Sequence, residues 1–350
     1  MTSFSHFTFE GMSRNKVRIA VAVFVASVAT VFTYAEHLRT HGRHGDFGIV
    51  WFGARSLLRG VDPYPLVGPG LPFSWDWQLY YPATSMVAVL PLGLLPELPA
   101  TLVFVWISAA LLAYALTEHG WDRLWILPSA AFMVAVRAAD WSPLYSAAFL
   151  MAPVAFILCA KPTLGLAIAG AARSLRAIRF AAAGFAVLTA VSLAMLPEWP
   201  AEWIHVIRSQ QDVAPAVAWV GGPLILLAAL RWRMPEGRLL LAMSLVHSTA
   251  AWYEALPLLL IGRTKRECQA LSLISSVGYI VQGAFLTSGG FVARSDTRIL
   301  MMLFCYLPAL WVVLRRPGAP SGALAIGTSR RSRARVGDPS FGPATGKASP

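Results

Sequence analysis

An aspartate at the start of an amphipathic segment is a candidate general base. Asp46 precedes apolar residues that recur at helical spacing: Phe47, Val50, Trp51, Ala54, Leu57 and Leu58. This spacing predicts a short helix with one apolar face, lying in the membrane interface and ending near Gly60. Asp46 then either caps the helix N-terminus, or acts as a general base at the boundary between water and lipid, and one role does not exclude the other.

A lysine between two apolar segments is the second candidate. Lys161 precedes Pro162, and a charged side chain inside a membrane is costly, so that it usually has a function. Two structural alternatives are snorkelling of the side chain to an interface and pairing with a carboxylate such as Asp140.

Other polar and aromatic residues of the first loop have both a functional and a structural interpretation. Arg55 and Arg59 lie off the apolar face of the predicted helix, where they bind either an anionic substrate or lipid head groups. Asp62 either binds a ligand or forms a turn with Pro63. Residues 71–82 are dense in Trp and Tyr, which form either an interfacial aromatic belt or a platform for a sugar ring.

Later in the chain, His247, Trp252 and Glu254 are candidates to line a cavity together with the residues of the first loop. The structural alternative is that they are packed residues, as a single His or Glu in an apolar segment often is. The early histidines are loosely spaced and predict no metal site: His37, His41 and His44. No Walker motif or other nucleotide-phosphate loop is present. The sequence predicts no cofactor.

The elements that must position these residues are apolar segments. Hydrophobic residues make up 57% of the 350 residues and charged residues only 13%, about half the charged fraction of a soluble protein. Segments of about 20 apolar residues, enough to cross about 30 Å of hydrocarbon, recur along the chain. The net charge of +12 lies in short clusters between them, which argues for membrane lipids and against nucleic acid as partners. We therefore predict an all-α integral membrane protein.

The segments predict a polytopic bundle of about 10–12 transmembrane helices. The basic residues of 14–18 precede the apolar run 19–35, which we interpret as an uncleaved first span with a cytoplasmic N-terminus. The connection from about 36 to 81 is then extracytoplasmic. Further apolar segments lie near 83–96, 99–117, 124–137, 143–159, 163–172, 180–197, 216–230, 239–261, 270–288 and 299–314.

Charge predicts the orientation of the later segments. Basic clusters predicted to be cytoplasmic lie at 173–179, 231–238, 263–266 and 315–316. This favours a hairpin of two short spans over residues 239–261, with His247 and Trp252 near its outer end. Residues 1–316 are interpreted as a single transmembrane domain, and 317–350 as a disordered basic cytoplasmic tail. The prediction is a multi-pass protein of the cell membrane with both termini in the cytoplasm.

Several stretches share a pattern with a known family. The stretch D-F-x-x-x-W-x-x-A-R-x-L-L-x-G-x-D-P-Y at 46–64 continues into Y-Y-P-A at 80–83 and P-L-G-L-L-P at 91–96. Ala160-Lys161-Pro162 and WYEALPLLL at 252–260 follow later. Together they resemble glycosyltransferase family 87, which includes mycobacterial polyprenol-phosphate-mannose-dependent mannosyltransferases. The likeness is specific over 46–96 and weaker in the two later regions.

The resemblance implies a GT-C-like fold and transfer of a sugar from a polyprenyl-phosphate donor to a lipid or glycan acceptor at the outer face of the membrane. The sugar would be a hexose, for which the family suggests mannose, or a pentose. Asp46 corresponds to the essential loop aspartate of the family, and would act as general base in an inverting direct displacement. Asp140 departs from the family, which often has Gln before this segment. The resemblance implies that Lys161 binds the donor phosphate, with Arg55 and Arg59 as alternatives, and that Asp62 binds the acceptor. The absence of a Walker motif fits this lipid-linked donor and argues against a nucleotide sugar. The other residues expected to bind substrates are Tyr64, Tyr80, Tyr81, Asp140, His247, Trp252 and Glu254.

Two other classes of protein remain as alternatives. A transporter or flippase of lipid-linked saccharides would carry charged residues along several spans and a repeat between its halves, and the sequence shows neither clearly. A non-catalytic membrane scaffold is weakly disfavoured by the presence of Asp46 and Lys161.

Overall fold

The computed structural model describes residues 13–41, 45–209, 213–285 and 294–316, which are mostly helical. The α-helices of this part are α1 (Arg14–Arg39), α2 (Asp46–Leu57), α3 (Ala83–Ala88), α4 (Glu97–Glu118), α5 (Ala130–Arg137), α6 (Ser142–Leu150), α7 (Pro162–Gly170), α8 (Leu175–Met195), α9 (Trp199–Arg208), α10 (Pro235–Leu245), α11 (Leu256–Leu259), α12 (Lys265–Phe285), α13 (Arg294–Met301) and α14 (Leu307–Arg315). The predicted basic tail and His44 lie outside the described residues.

Shorter elements link these helices. The 3₁₀ segments are Tyr64–Leu66, Leu90–Leu94, Trp121–Ile126, Ala152–Ala160, Ala216–Ala218, Gly222–Arg231 and Trp252–Ala255, and Met302–Tyr306 is a π-helical turn. Two strand pairs form: β1 (Val67–Gly68) with β2 (Phe73–Ser74), parallel, and β3 (Ala214–Pro215) with β4 (His247–Ser248), antiparallel. The second pair joins the loop before residue 216 to the loop after α10.

Four helical runs of the described chain are long and apolar enough to cross a membrane: α1, α4, α8 and Asp296–Arg315. Large apolar side chains on α1 and α8 face outward, among them Phe24 and Phe185, which are 69% and 62% exposed. Such exposed apolar surface is typical of a lipid-facing helix and unusual on a soluble protein. Helix α12, which covers most of the predicted span 270–288, is also continuous, and the remaining predicted spans are divided into shorter helical pieces. Breaks precede Pro162 and Pro257, because proline cannot donate the hydrogen bond that continues a helix.

Helix α1 connects two ends of the structure. Near its start, Arg18 pairs with Glu118 at the end of α4 (3.2 Å). Near its other end, Glu36 pairs with Arg137 at the end of α5 (3.0 Å), and the Thr33 hydroxyl donates to the carbonyl of Val136 (2.7 Å). Because an α-helix rises about 1.5 Å per residue, the two ion pairs lie about 27 Å apart along α1.

The later basic clusters meet at the end of the structure that contains Arg18. Glu236 pairs with Arg263 (2.6 Å) and lies 3.9 Å from Arg316, and Arg238 donates to the carbonyl of Ala172 (2.9 Å). Arg123, just past the end of α4, donates to the carbonyl of Leu260 (3.2 Å). The contact between Glu236 and Arg263 means that the chain reverses between them, as the hairpin interpretation of 239–261 predicts.

The loop helix α2 is more deeply packed than a helix with one apolar face. Phe47, Val50, Ala54 and Leu57 are buried as predicted, whereas Leu58 is 40% exposed. Glycines bring neighbouring elements close to the other faces: a Cβ on Gly53 would lie 2.7 Å from the sulfur of Met86, and one on Gly93 would lie 3.1 Å from the backbone nitrogen of Arg55. Other parts of the protein therefore cover much of α2, because glycines at these positions allow neighbouring elements to approach the helix closely.

Candidate functional site: two cavities that share an aspartate

Gly45, and not Asp46, is the N-cap of α2, so the capping prediction for Asp46 is wrong. Asp46 is the first residue of the helix, and its backbone N–H donates to the carbonyl of Ala138 at the end of α5 (2.8 Å). A Cβ on Gly45 would lie 2.7 Å from that carbonyl oxygen. The close approach of α2 to α5 therefore selects glycine at the cap and leaves the Asp46 carboxylate available for another role.

Two cavities open beside Asp46. The larger has a volume of about 730 Å³ and the smaller about 540 Å³. Asp46 and Trp75 line both of them, and all the other lining residues belong to one cavity only. A carboxylate in this position can contact one molecule bound in each cavity.

The larger cavity combines aromatic rings with a few charged groups. Its aromatic walls come from Trp75, Trp77, Tyr80, Tyr81, Trp203 and Tyr253. Its charged or titratable walls come from Asp46, Lys161, Arg208, His247 and Glu254. The predicted aromatic platform of residues 71–82 thus contributes to a cavity wall, which a purely interfacial belt would not do. A cavity with aromatic walls and a few converging polar groups is the usual form of a small-molecule site.

Lys161 pairs with Asp140, which was one of its structural alternatives. Its ammonium lies 2.7 Å from the Asp140 carboxylate, whose side chain is fully buried, whereas the Lys161 side chain is 13% exposed. The backbone N–H of Ser142 also donates to Asp140 (2.7 Å), as does the Ser142 hydroxyl. The Lys161 nitrogen lies 5.0 Å from the ring centre of Tyr253 and 5.8 Å from that of Tyr81. The ion pair holds the ammonium at the cavity wall between two rings.

Asp140 itself lines neither cavity. Its neighbour Ala139 has φ +52°, a left-handed conformation that is uncommon for residues other than glycine and is worth about 1–3 kcal/mol of strain. This backbone turn lies between the contact of Ala138 with α2 and the ion pair of Asp140 with Lys161. The same short segment therefore positions both Asp46 and Lys161, and Asp140 adjoins the larger cavity through its ion pair with Lys161.

Glu254 is held by the loop that follows α10. Its carboxylate accepts hydrogen bonds from the Ser248 hydroxyl, from the Thr249 hydroxyl (2.9 Å) and from the Thr249 backbone N–H (3.1 Å). These bonds fold residues 248–254 against the cavity, with Ala250 in a left-handed conformation at φ +58°. Glu254 therefore shapes the wall that carries Tyr253.

The electrostatics of the site centre on Asp46, which lies in the loop helix and outside the four long helices. Burial raises the pKa of Asp46 to about 6, and the charge of Asp140 acts in the same direction. The charge of Lys161 and the hydroxyl of Tyr253 beside the Asp46 carboxylate oppose this rise. A carboxyl group with this pKa is ionised at neutral pH and is a stronger base than an exposed aspartate.

Some predicted binding residues lie away from both cavities. Arg55 donates to the carbonyl of Leu95 (3.4 Å) and its guanidinium packs over the ring of Trp51, while Arg59 is exposed beyond the end of α2. Asp62 accepts the backbone N–H of Tyr64 (3.0 Å), the geometry of the turn that was its alternative interpretation.

Tyr64 and Trp252 contribute from behind the cavity walls. The Tyr64 hydroxyl donates to the carbonyl of Tyr81 (3.2 Å), and the Trp252 indole N–H donates to the side chain of Gln282. Both residues are buried. They support the residues next to them in the larger cavity and do not line it.

The site also includes residues that the sequence did not single out. Tyr253 lies between Trp252 and Glu254, within the segment that resembles the family, and this position was an available signal. Trp203 and Arg208 come from α9, where the indole N–H of Trp203 donates to the carbonyl of Tyr80 (2.9 Å). The density of tryptophan from 199 to 203 signals an interfacial helix, but its contact with the first loop depends on the tertiary fold.

The described part of the chain is thus mostly helical, with four helical runs long and apolar enough to cross a membrane and with two cavities that share the Asp46 carboxylate. No protein-family model, curated protein or solved structure that we compared with the chain matches it.

Proposed function

We propose that the protein is a membrane glycosyltransferase of the GT-C class, which transfers a sugar from a polyprenyl phosphate to an acceptor hydroxyl at the outer face of the membrane. The observation that carries this proposal is the position of Asp46, on the wall of two adjoining cavities with Lys161 on the wall of the larger one. Group transfer needs a base that contacts an acceptor beside a bound donor, and this arrangement can provide one.

The larger cavity is suited to the donor. Its tyrosine and tryptophan rings offer flat faces for a sugar, and Lys161 offers an ammonium for the phosphate. The ammonium has three N–H donors, of which the pair with Asp140 uses one, so donors remain for the phosphate oxygens. Arg208 and His247 on the same wall are further groups for an anionic donor.

The proposed reaction is a single displacement. The acceptor oxygen forms a bond to the anomeric carbon while its proton passes to the Asp46 carboxylate. The bond from the anomeric carbon to the phosphate oxygen breaks, and its electron pair leaves with the polyprenyl phosphate. The leaving phosphate is a weak base, so no general acid is needed, and the displacement inverts the anomeric configuration.

The proposed topology is multi-pass, with about 10–12 spans and both termini cytoplasmic, and its orientation is based on the distribution of charge. Basic residues of the later clusters contact one another around Glu236, at the end of α1 that also holds Arg18. The Asp46 cavities adjoin the other end of α1, where Glu36 and His37 line the smaller cavity. Under the positive-inside rule, the cavities then face the outer side of the membrane.

Donor turnover tests the proposal. The purified protein in lipid nanodiscs would be incubated with radiolabelled polyprenyl-phosphate mannose, glucose and arabinose, with octyl glycosides and 1-octanol as probe acceptors. We expect one of these donors to be converted to polyprenyl phosphate with label in a new glycoside or in free sugar. If none is consumed by wild-type protein that remains folded, the proposed function is wrong. Movement of an intact donor across vesicle membranes without its conversion would instead identify a flippase.

A further inference from the structure

We infer that the smaller cavity is the acceptor site and that it binds a neutral sugar through its hydroxyl groups. This inference rests on the proposed function and names the acceptor class, which the sequence leaves open between a lipid and a glycan. It depends on three features of the smaller cavity: its contact with Asp46, its balanced set of charged groups, and its aromatic side chains.

The first feature is access to the base. Asp46 and Trp75 belong to the walls of both cavities, whereas Lys161 belongs to the larger one only. In a direct displacement, the incoming hydroxyl and the leaving phosphate must occupy different positions around the anomeric carbon. A donor whose phosphate binds Lys161 occupies the larger cavity. An acceptor in the smaller cavity can then bring its hydroxyl to Asp46 without displacing the donor.

The second feature is the charge of the walls. The walls carry both carboxylates, from Glu36, Glu97 and Asp46, and guanidinium groups, from Arg39 and Arg137. The Glu36 carboxylate joins the two arginines, accepting from Arg39 Nε (2.9 Å) and Arg137 Nη2 (3.0 Å). An anionic acceptor would require an excess of positive charge, which these walls do not have. A sugar hydroxyl both donates and accepts, and it therefore suits a wall of adjacent carboxylates and guanidinium groups.

The third feature is aromatic surface. Trp75 and Tyr279 line the cavity beside these polar groups, and flat rings can pack against the C–H face of a pyranose. A simple aliphatic alcohol would gain nothing from the line of charged groups and would leave them poorly solvated. Both the polar and the aromatic walls thus favour a sugar over an alkyl acceptor.

Arg137 is the residue of choice for a test because its loss leaves Glu36 with a partner. Glu36 keeps its bond to Arg39 when Arg137 is changed, so Arg137→Gln creates no unpaired carboxylate. Arg18→Gln is a matched control, since Arg18 also joins α1 to a neighbouring helix through a carboxylate, Glu118, but lies outside both cavities. Thr101→Trp is a second test variant, which fills the smaller cavity from α4.

The experiment measures KM separately for the two substrates, with the donor that the panel identifies and with octyl α-D-mannopyranoside, octyl β-D-glucopyranoside and 1-octanol as acceptors. Hydrogen bonds to a charged group contribute substantially to binding free energy. We therefore expect Arg137→Gln to raise the KM of the octyl glycoside about tenfold or more. Thr101→Trp should raise it further. The KM of the donor should stay within about twofold in both variants, because neither residue lines the larger cavity. Arg18→Gln should match the wild type in both values.

Three outcomes would overturn the inference. The first is an unchanged glycoside KM in both cavity variants, and the second is equal use of 1-octanol and the glycosides. The third is consumption of the donor with no transfer to either glycoside, which would leave the proposed function standing. No donor consumption by wild type would overturn the proposed function and this inference with it. Comparing methyl α-D-mannopyranoside with octyl α-D-mannopyranoside as acceptors identifies the source of the sugar. Equal use of the two indicates a free glycan, and preference for the octyl glycoside indicates a glycolipid. Both results support a sugar in the smaller cavity.

Discussion

At the scale of single residues, the structure separates the possible roles of Asp46. A capping side chain would have been occupied at the helix end, but Gly45 takes that position. Asp46 instead opens onto both cavities, with Tyr253 and Lys161 close enough to influence its charge. The proposed role of Asp46 as a general base uses this position.

Replacing Asp46 by Asn should abolish transfer while preserving the fold. Asn has the same shape but cannot accept the proton, and general-base catalysis contributes about 10²–10⁴-fold in rate. Turnover would be measured with the identified donor, donor affinity by intrinsic fluorescence, and the fold by thermal unfolding. A variant that keeps more than about a tenth of wild-type turnover is incompatible with Asp46 as the base.

The pH dependence of transfer should follow the ionisation of Asp46. Burial raises the pKa of Asp46 to about 6, and only the ionised form accepts a proton. The rate is therefore expected to rise with pH, to reach half its maximum near pH 6 and to level off above about pH 7. The charge of Asp140 contributes to the raised pKa, so Asp140→Asn should move this midpoint to lower pH. A rate that is flat from about pH 5 to 8 would contradict the assignment.

Lys161→Met should weaken donor binding, but the ion pair requires a compensated variant. Loss of the lysine leaves the buried Asp140 carboxylate without its cation, which costs about 3–5 kcal/mol for a buried pair. The double variant Lys161→Met/Asp140→Asn removes both charges and should remain folded. We expect a donor KM about tenfold or more above that of the Asp140→Asn control. Equal donor KM values in the double variant and the control would show that Lys161 does not bind the phosphate.

At the scale of elements, the docking of α2 against the end of α5 brings the site together. The contact joins Gly45 and Asp46 to Ala138, and Asp140 lies two residues further on. The same connection between α5 and α6 therefore holds the loop helix and, through Asp140, the start of α7. A change in this contact should alter both the stability of the protein and its activity.

Gly45→Ala tests the docking directly. The added Cβ would lie 2.7 Å from the carbonyl oxygen of Ala138, so α2 must move or strain must be accepted. We expect the free energy of unfolding to fall by about 1–3 kcal/mol, as for other overpacked sites, and transfer to weaken. Gly170→Ala is the control, because its Cβ would meet only the Cβ of Ala242 at an ordinary 3.8 Å. Unfolding temperatures that match in both variants would argue against a close contact at Gly45.

At the scale of the whole molecule, the proposed orientation in the membrane is based on the arrangement of charge. Arg18, Glu236 and Arg316 belong to one end, and the cavities around Asp46 belong to the other. The apolar outer surfaces of α1 and α8 lie between these ends. This distribution resembles that of a protein whose basic end contacts the cytoplasmic lipid surface.

Thiol labelling in intact cells can test the orientation. Arg59 lies just beyond α2, the helix that begins at the cavities, and Arg233 lies in the basic cluster before Glu236. Both residues are exposed. A membrane-impermeant maleimide should label Arg59→Cys from outside and should label Arg233→Cys only after permeabilisation. Reporter fusions at both chain termini should give cytoplasmic signals. The reverse labelling pattern would contradict the outer position of the site.

The sequence by itself determined the features that depend on local composition and spacing. Apolar runs of sufficient length predict spanning helices, and in the residues that the structure describes four of them form helical runs long and apolar enough to cross a membrane. Helical periodicity located α2, and the cost of an isolated charge drew attention to Lys161. These properties are local because each depends on neighbours along the chain.

Only the tertiary structure decided how these residues are used. Asp46 is at the first helical position because Gly45 meets Ala138, which lies far away in the sequence. Lys161 pairs with Asp140, and Trp203 reaches the first loop from α9. Periodicity specifies which face of a helix is buried, but it does not specify which distant element covers that face. The two cavities exist only where α1, α2, α5 and the loops after α9 and α10 come together, and their shared aspartate is a consequence of that packing.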